Sequence, residues 1–345
     1  MNQLTRIESH PWSRGIVGCA AAALLLAALG LSPQWADGTA PTVSPPAAAP
    51  PALSVSDAAD QLAEIMVEAR EPRYVAPTRR DQIGRIWAPV FINGRGPFRL
   101  VLDTGASNSG VTAMVALALG IPTDQSPHVM LRGVTGSADV PTIRVDTLSV
   151  GDLAVDSALL PIIPDALGGA QGILGSEGLT NKRIFIDFGH DQIAITYSRG
   201  ERSGRDFISV PFQSHHGQLI IIDAMVGQVR TKAIIDTGGQ TTIGNLALRD
   251  ALAQHNIGFH GKSDQIQGAT LQFEKGELIA TPAIKFGGIE IHDSGVTFAD
   301  VYIFKQWKFT SEPAIMIGMD ALGTLDTLII DYRRHELQMR MAKRG

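Results

Sequence analysis

The stretch LVLDTGASNSGVT at residues 100–112 recurs as AIIDTGGQTTIG at residues 233–244. In both copies an apolar run leads into Asp-Thr-Gly, a pattern that predicts a buried strand ending in a tight turn. One such tripeptide is a weak signal, because Asp and Gly are common in turns of every kind. Two copies in matching contexts indicate an internal repeat and a shared role for Asp103 and Asp236.

The repeat extends well beyond these two stretches. Gly94 lies nine residues before Asp103 and Gly227 lies nine residues before Asp236, so both pairs recur at an offset of 133 residues. Further along, ILGSEGL (173–179) recurs as MIGMDAL (316–322), and IFIDFGHDQIAI (184–195) recurs as LIIDYRRHELQM (328–339). The chain from about residue 80 therefore consists of two copies of one repeat unit.

The alternating apolar positions and frequent turn residues predict an all-β fold with a few short helices. Each copy consists mostly of short strands. We expect helices near residues 114–120 and 245–255, and another after each of the ILG and MIG motifs. The hydrophobic content of 44% is sufficient for a real core, which excludes a disordered chain.

The segment before the repeat has a different composition. Residues 16–31 are an apolar run preceded by Arg6 and Arg14, and they are shorter than the roughly 20 residues that a membrane span needs. We therefore predict a signal peptide or N-terminal anchor over 1–40, a Pro/Ala-rich linker with a short helix over 41–79, an N-terminal lobe over 80–202 and a C-terminal lobe over 203–345. This organisation predicts an exported protein, periplasmic or secreted, with a membrane tether through residues 16–31 as the alternative.

Composition excludes several classes of site. The net charge is −5 and no basic stripe stands out, so we expect no nucleic-acid partner. Cys19 is the only cysteine, which rules out a disulfide framework and a CxxC metal site. We expect no metal and no cofactor.

At this point the sequence resembles a known family. The D-T-G-A-S and D-T-G-G-Q motifs, each followed by an apolar-apolar-Gly motif (ILG and MIG), are similar to those of the aspartic proteases. The similarity is greatest to the retropepsin-like branch and its two-lobed bacterial relatives. It implies two tandem, pseudo-symmetric, β-barrel-like lobes with a cleft between them, and a chain that is active as a monomer.

The resemblance also implies roles for individual residues. Asp103 and Asp236 would be the catalytic pair. The residues that follow them would support the two active-site loops, namely Thr104, Gly105, Thr237 and Gly238. Two flaps would cover a peptide or protein substrate, formed by Gly133, Val134, Thr135 and Gly136 and by Gly268, Ala269 and Thr270. The second copy has no glycine matching Gly136, so we expect the two flaps to differ.

The chemistry of two close carboxyl groups fits this implied role. Like charges repel in a low-dielectric site, so one group keeps its proton and acts as the acid while the other acts as the base. The sequence thus predicts an exported aspartic endopeptidase that needs no nucleophilic residue. Two alternatives stay open: a catalytically weak or inactive relative that binds peptides, and a membrane-tethered regulatory protease with few substrates.

Overall fold

The computed structural model describes residues 75–77, 84–165, 167–215, 219–255, 261–292 and 294–342. The chain in these ranges is mostly β, which confirms the predicted all-β, acid-protease-like fold class. Residues 69–345 form one compact unit. The signal peptide or anchor predicted over 1–40, and nearly all of the linker predicted over 41–79, lie outside the described residues.

The strands of the first copy, with one strand before it, are β1 (Val75–Pro77), β2 (Trp87–Ile92), β3 (Arg95–Leu102), β4 (Gly110–Thr112), β5 (His128–Arg132), β6 (Ser137–Val150), β7 (Leu153–Ile163), β8 (Gly172–Leu174), β9 (Lys182–Asp187) and β10 (Gln192–Tyr197). Seven of them form one sheet in the order β2-β3-β8-β4-β7-β6-β5. β3 runs parallel to β8, and β8 in turn pairs antiparallel with β4.

The strands of the second copy are β11 (Ile208–Pro211), β12 (Gln213–His215), β13 (Leu219–Val226), β14 (Val229–Ile235), β15 (Ile243–Gly244), β16 (Lys262–Gln267), β17 (Phe273–Ala280), β18 (Ile284–Phe286), β19 (Ile289–Ile291), β20 (Gly295–Phe298), β21 (Ala314–Ile317), β22 (Leu325–Asp331) and β23 (Glu336–Met341). The ten strands β12 to β21 form a second sheet. Its centre repeats the first sheet, because β14 runs parallel to β21 and β21 pairs antiparallel with β15.

A third sheet joins the two copies. Its six strands follow the order β1-β10-β9-β22-β23-β11, so β9 of the first copy pairs directly with β22 of the second. At the turns that end these two strands, Asp187 and Asp331 accept hydrogen bonds from the backbone amides of His190 and Arg334. One apolar cluster contains buried residues from all three sheets, so the two copies share a core.

In the ranges that the structure describes, four short helices lie between strands, namely α1 (Ala113–Leu119), α2 (Leu246–Gln254), α3 (Tyr302–Gln306) and α4 (Met319–Leu322). Helix α1 ends at Gly120, whose φ of 75° suits glycine, and the Asn245 side chain caps α2 by accepting the Leu248 amide at 2.8 Å. No helix in the described ranges is long and apolar enough to cross a membrane.

The helix predictions were correct in three places and wrong in one. Helices α1, α2 and α4 lie where the sequence predicted them, and α3 was not predicted. The helix expected after the ILG motif is a turn instead. The third residue after this motif, Gly178, has a φ of 74°, a left-handed conformation that ends a helix, whereas the second copy has Ala321 at the matching position.

Candidate active site

The two Asp-Thr-Gly loops begin at equivalent points of the two sheets. Asp103 directly follows β3, and Asp236 directly follows β14. The backbone amide of Asp103 donates to the Leu174 carbonyl at 3.0 Å, and that of Asp236 donates to the Ile317 carbonyl at 3.0 Å. The apolar runs before each Asp are buried, and the parallel ILG and MIG strands beside them fix the start of each loop.

Each carboxyl group is held by amides of its own loop. Oδ1 of Asp103 accepts hydrogen bonds from the amides of Gly105 at 2.8 Å and Ala106 at 3.0 Å. Oδ1 of Asp236 accepts from Gly238 at 3.0 Å and Gly239 at 2.9 Å. Two amide donors leave each side chain little freedom, so both carboxyl groups are oriented by the backbone.

The loops bring the two carboxyl groups together. A Cβ atom built on Gly105 would lie 3.2 Å from Oδ1 of Asp103 and also 3.2 Å from Oδ1 of Asp236, so both groups border the same small volume. A Cβ atom on Gly238 would overlap the Asp103 carboxyl group. The Asp236 loop has a second glycine, Gly239. A Cβ atom at this position would lie 2.7 Å from Oδ2 of Asp236, too close for a side chain.

Two threonines cross-link the loops. The hydroxyl of Thr104 donates to the Ile235 carbonyl at 2.6 Å, and that of Thr237 donates to the Leu102 carbonyl at 2.7 Å. Each hydroxyl also accepts the backbone amide of the other threonine at 3.1 Å. Both side chains are buried, at 2% and 0% exposure, so the four bonds are shielded from water.

Thr104→Val is expected to destabilise the fold by about 1–3 kcal/mol, because it keeps the shape but leaves a buried carbonyl and a buried amide without partners. Thermal unfolding should show a lower Tm for Thr104→Val and for Thr237→Val. The matched control is Thr104→Ser, which keeps the hydroxyl and should lose less stability. Equal Tm values for wild type and Thr104→Val would contradict the role of these bonds.

Burial dominates the electrostatics of the pair. Desolvation first, and then the neighbouring Asp236 carboxylate, raise the pKa of Asp103 from 3.8 to about 7. Burial also raises the pKa of Asp236, although amides of its loop and a hydrogen bond from Asp103 oppose the increase. The pair therefore retains a proton at pH values where ordinary aspartates are ionised.

The raised pKa values predict a pH-dependent stability difference. Between about pH 4 and pH 7 the folded state binds more protons than the unfolded state, so the pair's contribution to stability falls as the pH rises through this range. Asp103→Asn removes the Asp103 part of this titration and should be more stable than wild type at pH 8, by on the order of 2 kcal/mol, but not at pH 4. Urea unfolding at both pH values checks this, and a difference independent of pH would contradict it.

A second pair of acids lies behind the loops. Glu177 Oε1 accepts the Ser109 amide at 2.7 Å, and Asp320 Oδ2 accepts the Thr242 amide at 2.9 Å. The hydroxyls of Ser109 and Thr242 in turn accept the amides of the glycines that end the ILG and MIG motifs. These contacts tie each loop to its parallel strand, and Ser109 had no predicted role.

Both predicted flaps are turns of β-hairpins, since Gly133 to Gly136 join β5 to β6 and Gly268 to Thr270 lie between β16 and β17. The two turns contact each other. The Thr135 hydroxyl donates to the Gln272 carbonyl at 2.8 Å and accepts the Gly268 amide at 3.1 Å. The hairpins are therefore joined at their tips.

The flaps are not equivalent. The Thr270 hydroxyl is buried without a hydrogen-bond partner, whereas that of Thr135 has two. Leu271 takes the place of Gly136 in the second flap, with a left-handed φ of 63°. A Cβ atom on Gly136 would overlap the end of the exposed Gln272 side chain, which would have to turn away. The sequence analysis assigned no role to Leu271 or Gln272. Leu271 occupies the position at which the second copy lacks a glycine matching Gly136.

Within the part of the chain that the structure describes, no group of three or more His, Cys, Asp or Glu residues could hold a metal ion. A family model of aspartyl proteases matches residues 88–178. The matched range contains Asp103, the first flap and the ILG motif, and it ends before the second copy. A search of the curated proteins gives no match. The family match supports an aspartic protease family, while the pairing with Asp236 rests on the repeat and the geometry.

Proposed function

We propose that the protein is an aspartic endopeptidase in which Asp103 and Asp236 together hydrolyse peptide bonds. The observation that carries this proposal is the meeting of the two carboxyl groups across Gly105, with a hydrogen bond between them and raised pKa values. Similarity of residues 88–178 to aspartyl proteases supports the same reaction class.

The mechanism needs one proton shared by the pair. The ionised carboxylate takes a proton from a water molecule, whose oxygen attacks the peptide carbonyl carbon. The protonated carboxyl group supplies the proton that the amide needs, and the C–N bond then breaks to give a carboxylate and an amine. Because the two groups titrate as a unit, acid and base are not assigned to individual residues.

The substrate is an extended peptide between the loops and the two flaps. Hairpins offer backbone donors and acceptors to an extended chain, and closed flaps shield the site and its one attacking water molecule from bulk solvent. The hydrogen bonds that join the flap tips have to open, or the flaps have to move together, before a peptide can enter. The buried Thr270 hydroxyl is a polar group available to a bound peptide.

The test is a digest of a peptide library by the purified protein and its Asp236→Asn variant in parallel. Cleavage by wild type and none by the variant is the expected result. Binding of peptides without cleavage by wild type would favour the alternative of an inactive peptide-binding relative.

Activity is expected to survive metal chelators and thiol reagents, because the proposed chemistry uses neither a metal nor a cysteine. The measurement is the initial cleavage rate with and without each reagent. Complete loss with a chelator that is restored by added metal would contradict the proposal.

We further propose export, on the sequence pattern of residues 1–40 alone. Fractionation of cells that express the full-length protein distinguishes a cleaved signal peptide from a membrane tether. Recovery only in soluble periplasmic or secreted fractions supports a cleaved signal peptide, whereas recovery in the membrane fraction supports a tethered regulatory protease.

A further inference from the structure

Arg85 lies opposite Asp103 in the first sheet. β2 and β3 are antiparallel with Trp87 paired to Val101, and the next step of the ladder is the hydrogen bond from the Leu102 amide to the Ile86 carbonyl at 3.0 Å. One step further, the same register places Arg85 across from Asp103. Residues directly opposite each other in an antiparallel pair have their side chains on the same face, about 5 Å apart at Cβ.

This position is unusual for an arginine because it is buried. Arg85 is 7% exposed, and Trp87 and Val101 on the same face belong to an apolar cluster. Arginine is rarely buried without a partner, since removing its charge from water is costly.

We infer that Arg85 is a positioning residue for the Asp103–Asp236 pair, whose positive charge acts with the loop amides to keep one of the two carboxyl groups ionised. Burial alone would leave both groups protonated, and such a pair would have no base. The backbone amides of each loop oppose this effect most, and the charge of Arg85 adds to them by lowering the pKa of Asp103 and that of Asp236. The consequence for catalysis rests on the proposed function.

The other ionisable groups around the pair are accounted for. Asp103 and Asp236 act on each other from the ends of β3 and β14. Tyr332, which follows β22, has a buried phenol whose pKa is raised by burial and by Asp103. Glu177 and Asp320 bond the backs of the loops. In this set Arg85 supplies the positive charge.

The experiment is a ¹³C NMR titration of the aspartate carboxyl carbons in the full-length protein, with the signals assigned through Asp103→Asn and Asp236→Asn. Arg85→Met removes the charge and keeps an unbranched side chain. We expect both transitions of the pair to move up by about 0.5–1 pH unit, because an opposite charge has been removed. The pH profile of kcat/KM should move in the same direction, with a 3- to 10-fold loss on its acidic limb.

Two variants control for shape and for general charge. Arg85→Lys restores the charge and should return the transitions toward their wild-type positions. Arg99→Met removes an exposed arginine from the same sheet face, where it stacks on the Trp87 ring at 4.8 Å, and should leave both transitions unchanged. If Arg85→Met does not fold, Arg85→Gln replaces it, since Gln218 stands 133 residues later at the matching repeat position.

Unchanged transitions in Arg85→Met, or in Arg85→Gln, would overturn the inference. A shift in Arg85→Lys as large as that in Arg85→Met would also overturn it, because the effect would then be steric. A failure of the proposed function would give a different result from a failure of this inference. In that case wild type cleaves no peptide, while the NMR transitions still move with the charge at position 85.

Discussion

Asp103→Asn or Asp236→Asn alone is expected to lower kcat/KM for peptide cleavage by at least about 1,000-fold, because the pair then cannot supply both an acid and a base. The folded state should persist. An asparagine can accept the same amides of Gly105 and Ala106 that Asp103 accepts, and its NH₂ group can donate toward Asp236. Initial rates on a peptide that wild type cleaves, together with circular dichroism, give both quantities.

The matched control for this pair of variants is Asp223→Asn. Asp223 is 81% exposed and forms an ion pair with Lys232 at 2.6 Å on the surface of the second copy. Its replacement should leave kcat/KM within about twofold of wild type. Wild-type rates in either dyad variant would refute the assignment of the catalytic pair.

Gly238→Ala is expected to lower activity by at least about 100-fold and to reduce stability by roughly 2–4 kcal/mol. The added methyl group would occupy the position of the Asp103 carboxyl group, which cannot swing away without losing its hydrogen bonds to Gly105 and Ala106. The same substitution therefore displaces a catalytic group and strains a buried loop. Cleavage rates and urea unfolding measure the two effects separately.

Gly105→Ala provides the graded comparison. Its Cβ atom would lie 3.2 Å from the nearest carboxyl oxygens, a contact that small shifts can relieve. We therefore expect a smaller loss of activity and stability than in Gly238→Ala, although the two glycines hold equivalent repeat positions. Equal effects of the two substitutions would contradict the closer approach of the Asp103 carboxyl group to Gly238.

The fold class and the location of the candidate site could be predicted from the sequence, because the strand pattern and the Asp-Thr-Gly motif both recur in the two copies. Each Asp follows a buried run and precedes a glycine, and each ILG or MIG motif recurs in order, so local patterns alone predicted the strands on both sides of the loops. The turn after the ILG motif was missed, because the matching segment of the second copy forms a helix, and the left-handed Gly178 stands where that copy has Ala321.

The position of Arg85 beside Asp103 could not be predicted from local sequence patterns. An Asn-Gly turn at residues 93 and 94 predicts a two-residue hairpin, with Ile92 paired to Arg95. That register, continued without interruption, would place Gly84 opposite Asp103. The structure has a register shift between Val90 and Ile92, which moves the pairing by one residue and brings Arg85 there instead.

The difference between the two flaps could be predicted only in part. The absence of a glycine matching Gly136 predicted that the flaps would differ, but the form of the difference depends on contacts between the copies. Gln272 occupies the space beside Gly136, and Thr135 takes two of the hydrogen bonds that join the tips, while the Gln272 side chain donates a third to the Ser137 carbonyl. Such contacts join residues more than 130 positions apart, and no local pattern specifies them.

The most direct test of the central claim is the distance between the carboxyl oxygens of Asp103 and Asp236 in a crystal structure grown at mildly acidic pH. The account predicts that the closest pair of oxygens lies within hydrogen-bonding distance, about 3 Å, with one proton between them. Oxygens separated by more than twice that distance, in a molecule that still cleaves peptides, would contradict it.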